Sequence, residues 1–284
     1  GKLNLNLITN NKYYNISKSS ASYNLEAMNQ TSNHAGVAED AVNAAKNDYD
    51  FSKIDAIFVV MPSTSKAVDL GAFGTNIQVG NKVFYQAMHG AFINPSNKER
   101  VHERYLTHEI GHNFGLIHPL LHDRGYAFSV MNWEQSPVSD LFGWEKFLLN
   151  WIDPGQVDCL TAIPTSQIIS YVEGSGIKSL NKKLMVIKIS EYKLLVIESR
   201  RKSELDDLSQ EEEGLLLYTV DLNLGQDKGA VELITNGSPM KNFNGQSLLV
   251  GTFQEGESIS VDGVQVKVLK QGVTGDYFSV NKIQ

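Results

Sequence analysis

The sequence predicts an α+β protein in two parts: a helix-and-sheet domain over residues 1–155, followed by an all-β sandwich over residues 156–284. Three observations predict it. Helical and strand-like segments alternate in the first half, and from residue 167 onward short apolar runs recur between Gly, Asn, Asp and Ser turns. A chain of 284 residues with 42% hydrophobic content can bury one or two sizeable cores, and a charged fraction of 20% argues against disorder.

Each element follows from its local pattern. Residues 33–48 are rich in Ala, with Val37, Ala41 and Ala44 at helical spacing and Asn33 as a cap, which predicts a helix. The run IDAIFVV at 54–60, ended by Met61 and Pro62, reads as a strand buried on both faces and running through the sheet centre. Residues 77–85 hold two strand-like pieces around Gly80 and Asn81. Ser96 and Glu99 fit a capping box for a helix over 98–114, a stretch with no Pro. Its one Gly, Gly111, costs about 1 kcal/mol relative to Ala, which points to close packing there. Ser129, Val130, Met131 and Asn132 form a short turn. Trp144, Phe147, Leu148 and Trp151 recur at helical spacing and predict a core-facing helix, ended by Pro154 and Gly155. Seven strand-like runs follow, at 167–172, 184–189, 194–198, 215–220, 247–250, 264–269 and 277–280, and together they predict the sandwich.

The stretch HEIGHNFGLIH at 108–118 carries the chemistry. On a helix His108 and His112 stand one turn apart on one face, so both rings can reach one ion at roughly 2.0–2.1 Å. Gly115 stands where a helix often ends in a left-handed residue, and the turn it makes would swing His118 toward the same ion. Glu109 adjoins the first ligand and is placed to accept a proton from water in the open fourth position of a Zn2+ site. The full pattern arises by chance on the order of 10⁻⁵ times per chain, so buried structural histidines are a poor explanation of it. A structural zinc site favours thiolates and a fourth protein ligand, and the one cysteine, Cys159, lies far downstream.

HExxHxxGxxH followed by a Met in a tight turn resembles the metzincin clan of zinc endopeptidases. The resemblance implies a metzincin-like catalytic domain, a mixed twisted sheet with a zinc-binding helix and a Met-turn, in which Met131 lies beneath His108, His112 and His118. It also implies Glu109 as the catalytic base, Gly115 as the turn residue, and the 77–85 edge as the strand that pairs with substrate, where the residues by themselves also fit a plain surface hairpin. Within the clan, GWEKFLLNWIDPGQV and the pair LLVIESR … GLLLYTVD are similar to stretches of the immune inhibitor A family of bacterial secreted peptidases. The likeness spans most of residues 50–222. Many members of that family carry Asp where His118 stands. Trp133 occupies the position at which some metzincins carry a zinc-ligating or oxyanion-stabilising Tyr, and an indole cannot ligate. Tyr126 is nearby in sequence and stays unassigned.

The expected activity is zinc-dependent hydrolysis of internal peptide bonds, with a protein or peptide as substrate, in a secreted bacterial enzyme. Two other readings fit the motif: a non-catalytic surface-binding protein that retains zinc, and a zinc hydrolase of a non-protein amide. A net charge of −7 disfavours nucleic acid and anionic membranes, and no apolar run is long enough for a membrane span. The pattern fixes no oligomeric state. The chain opens at Gly1 without an initiator Met or apolar leader, which reads as a processed or engineered start. Cys159 reads as a small buried hydrophobe. The acidic run at 204–213 reads as a solvated loop, with structural Ca2+ as the other use of clustered carboxylates. His34, His89, His102 and His122 read as structural, with His122 and Asp123 close enough in sequence to orient a ligand ring.

Overall fold

A computed structural model of the chain describes residues 3–23, 31–61, 73–90, 101–119, 128–132, 140–206, 208–210, 212–225, 228–235, 240–243, 246–249 and 251–283. It divides into two units, Gly1–Leu116 and Ile117–Gln284.

In the first unit, helix α1 (Thr31–Ala45) starts two residues ahead of Asn33. It buries Val37, Ala38, Val42 and Ala45 and leaves Ala44 exposed, so its apolar stripe is rotated slightly from the one the alanines suggest. The stripe lies on a three-stranded sheet of β1 (Phe58–Val60), β2 (Phe73–Val79) and β3 (Lys82–Gly90), ordered β1-β3-β2. Ala38, Val42, Ile57, Ile77 and Phe84 form the shared core. β2 and β3 make an antiparallel hairpin, and Gly80 at φ +60° supplies the left-handed backbone that its two-residue turn requires. Helix α2 (Val101–Asn113) follows.

The second unit is built on strands. After the six-residue helix α3 (Gly143–Leu148) come β4 (Val157–Leu160), β5 (Ile168–Glu173), β6 (Leu184–Lys188), β7 (Lys193–Arg200), β8 (Gly214–Asp221) and β9 (Val231–Ile234). Then come β10 (Met240–Phe243), β11 (Gln246–Leu249), β12 (Ser258–Val261), β13 (Val264–Gln271) and β14 (Gly275–Lys282). They form a five-stranded sheet β4-β6-β7-β8-β9, a four-stranded sheet β12-β13-β14-β5 and a two-stranded ribbon β10-β11. Met185, Ile187, Leu195, Ile197, Leu215 and Leu217 of the larger sheet pack against Val172, Val264, Val266, Val268, Phe278 and Val280 of the smaller one. The other face of the larger sheet is covered too. Leu184, Val186, Val196, Leu216 and Tyr218 pack against Phe128, Phe142, Ile152, Trp144 and Phe147. Burial on both faces explains why LLVI and GLLLYTV are continuous apolar runs rather than alternating ones.

The expected metzincin-like α+β catalytic domain is not what folds. Among the described residues there are three α-helices against fourteen strands, and only the sandwich part of the expectation stands. Two physical reasons account for this. The IDAIFVV run pairs only over Phe58–Val60 and only with β3 among the described residues, leaving Val60 57% exposed at an edge rather than inside a larger sheet. The Trp144 stripe stops after six residues, because Asn150 turns left-handed at φ +57°, and the helix packs onto the five-stranded sheet. Cys159 is exposed on β4, an edge strand, rather than buried. No helix among the described residues is long and apolar enough to cross a membrane.

Candidate metal centre

The rings of His108 and His112, one turn apart on α2, meet edge to face, with centroids 4.8 Å apart and planes at 89°. Nε2 of one lies 3.2 Å from Nε2 of the other. Directly beyond, the helix closes in a Schellman cap: the Gly115 N–H donates to the His112 carbonyl at 3.0 Å, and the Leu116 N–H to the Gly111 carbonyl at 3.1 Å. Gly115 sits at φ +84°, with nothing within 4 Å of where a Cβ would stand, so backbone conformation and not space demands glycine. This reversal folds the Leu116 carbonyl back onto His112, whose Nδ1 lies 2.8 Å from it. A carbonyl can only accept, so the neutral His112 ring carries its proton on Nδ1 and presents a lone pair at Nε2.

Two nitrogens bound to one tetrahedral zinc at 2.0–2.1 Å stand about 3.3 Å apart. The 3.2 Å between His108 and His112 fits that spacing. One donor atom each from His108, His112 and His118 lies within 4.8 Å of the others, so all three come together from one continuous stretch of chain. Three imidazole nitrogens and no thiolate match a site that keeps a coordination position open. His108 is buried, whereas His112 and His118 are half-buried. Glu109, 7% exposed, follows His108 on α2, and the Asn113 side-chain amide donates to its backbone carbonyl at 3.3 Å.

Met131 lies in the second unit, fully buried in a turn held by polar contacts. Its N–H donates to Ser129 Oγ at 3.1 Å, and the Ser129 hydroxyl donates to Glu145 Oε2 at 2.7 Å. The same carboxylate oxygen accepts from the Phe142 N–H. Burial pushes the Glu145 carboxyl up to about 7, and the neighbouring charge of Glu198 pushes the same way against Ser129, Phe142 and Arg200. Beside it lies a buried ion network. Arg200 donates to Glu198 Oε1 (3.1 Å), Asp206 Oδ2 (2.6 Å) and the Leu141 carbonyl (3.0 Å), while Lys146 pairs with Asp140 at 2.5 Å. Glu198 Oε2 accepts from Gly143 N–H and the Tyr218 hydroxyl. Asp206 is thus drawn out of the acidic run into the interior, and burial lifts its carboxyl to about 6 despite Arg200. Glu212 and Glu213 of the same run cap backbone N–H groups of Ser209 and Lys202.

Sequence reasoning missed two groups that order these sites. The orienting partner of His112 is the Leu116 carbonyl, which the Gly115 cap could have signalled; Glu145 had no signal beyond its place beside Trp144. Asp123, His122, Tyr126, Trp133, Ser96 and Glu99 lie outside the described residues, and His34, His89 and His102 fall on α1, β3 and α2. Comparison with protein-family descriptions, with characterised proteins and with solved structures gives no match.

Proposed function

We propose that this chain is a zinc-dependent endopeptidase that hydrolyses internal peptide bonds. The observation that carries the proposal is the nitrogen-to-nitrogen approach of His108 and His112, with His118 in reach and the His112 tautomer set by Leu116. His108, His112 and His118 hold the ion. When bound, zinc supplies Lewis acidity toward the scissile carbonyl and acidifies water. Glu109 is the general base: it takes a proton from the attacking water and delivers it to the leaving amine. The likeness to metzincins and to the immune inhibitor A family supports the reading through the 108–118 motif and Met131, with the LLVIESR and GLLLYTVD stretches lying on β7 and β8. It does not extend to the fold. A secreted setting belongs to the same proposal.

The test pairs elemental analysis of the purified chain with digestion of a broad peptide library. One zinc per chain and internal cleavages are expected, both lost on chelation. Glu109→Gln should keep its zinc and lower kcat/KM by about 10²–10⁴. His112→Ala should lose both. Zinc without cleavage of any peptide would leave a binding protein, and cleavage confined to non-peptide amides would change the substrate class. Absence of stoichiometric metal together with absence of cleavage would end the proposal.

A further inference from the structure

The smaller sheet of the sandwich carries an exposed face whose strand charges are opposite in sign to the chain's net charge. Its four strands contain three lysines, Lys267, Lys270 and Lys282, all exposed. They contain two carboxylates, Glu173 and Asp276, both buried and paired with Lys183 and Arg201. Lys282 pairs with inward-facing Val264 at the strand end, so the outward face carries Lys267 and Lys270 as its charged strand residues, with Glu255 accepting from the Gln271 N–H at the edge, on a chain of net charge −7. Lys270 owes its place to a bulge. Strict alternation would turn it inward with Val266 and Val268, but the register shifts between Val268 and Lys270 and sets Lys270 opposite the outward-facing Tyr277.

The strand registers lay this face out in rows. Lys270, Tyr277 and Tyr171 form one, Lys267 and Ile169 flank Ser279 in the next, and Gln265 pairs with Asn281 in the third. The rings of Tyr171 and Tyr277 lie 4.7 Å apart at 41°, with Tyr277 45% and Ile169 67% exposed. At the third row an open groove of about 810 Å³ is lined by Thr165, Gln167, Gln265, Asn281, Lys282 and Ile283, with no carboxylate among them. One end of the face thus offers two tilted tyrosine rings beside Lys270, the middle row Lys267, and the other end amide and hydroxyl groups.

We propose that this face binds an acidic polysaccharide. Tyrosine faces stack on the apolar side of sugar rings, side-chain amides exchange hydrogen bonds with hydroxyls, and lysines pair with uronate or sulfate groups. From the tyrosine row to Gln167 the strands run about 13 Å, and four strands span about 14 Å, so the surface suits a chain of sugars rather than one. Single-stranded nucleic acid also stacks on aromatics, but its affinity comes from neutralising many phosphates, and two outward-facing lysines on a net-negative chain are few for that task.

The test is affinity electrophoresis of the full chain in gels cast with hyaluronan, heparin or dextran, beside a shift assay with a single-stranded oligonucleotide. Hyaluronan or heparin should retard the chain, dextran should not, and about 0.5 M NaCl should largely release it. Tyr277→Ala, and separately the pair Lys267→Glu with Lys270→Glu, should weaken retardation at least about tenfold, with the thermal midpoint and zinc content unchanged. The result should survive chelation, which separates it from the hydrolytic proposal. No retardation by either acidic polymer, equal retardation of the variants, or tighter binding of the oligonucleotide would overturn it.

Discussion

His112 shows how much one backbone reversal decides. Its two ring nitrogens receive different tasks because the Leu116 carbonyl claims Nδ1, and that carbonyl is in place because Gly115 adopts a conformation other residues adopt at a cost. Gly115→Ala should therefore lose about 1–2 kcal/mol in urea unfolding and also weaken zinc in a chelator competition. Unchanged zinc affinity would detach the cap from the proposed metal site. Glu145 governs a pH dependence. Its carboxyl stands at about 7 in the folded chain against 4.5 as the ordinary value, so the folded state holds the extra proton between those limits. The stabilisation is complete below about 4.5 and is lost as pH rises through about 7, a change on the order of 1–3 kcal/mol. Glu145→Gln should flatten that slope in unfolding curves recorded from pH 5 to 8. An identical slope would assign the titration elsewhere. Arg200→Met would strand Glu198 and Asp206 as buried charges and should cost about 3–5 kcal/mol.

At the scale of elements, legibility followed sequence separation. The histidine cluster is readable because His108, His112, His118 and the Gly115 cap lie within one short stretch, where spacing alone fixes geometry. The runs at 184–189, 194–198 and 215–220 are readable because doubly covered strands write themselves as unbroken Leu, Ile and Val. β4, β9 and β12 carry four residues each, too short for period two to stand out, and were missed. Whether IDAIFVV is central or marginal depends on which strands flank it, and nothing in the run itself says so. Arg200 reaches Leu141, and Glu198 reaches Gly143, across more than fifty residues, beyond any local pattern. Register can be checked directly on β14. Phe278→Ala, facing the sandwich core, should cost about 3–5 kcal/mol, whereas Tyr277→Ala beside it should cost under about 1 kcal/mol in the same denaturant titration. Equal costs would mean the strand is turned the other way.

For the whole molecule, the larger sheet lies between the smaller sheet on one side and α3 with the aromatic residues Phe128 and Phe142 on the other. Under the activity proposed above, each chain shares its solution with the active sites of its own copies. Backbone that is hydrogen-bonded on both edges and covered on both faces, as in β7 and β8, opens only when the whole unit opens. Prolonged autolysis should accordingly pare the chain to a durable remnant that retains these two strands, and deuterium should enter them last of all.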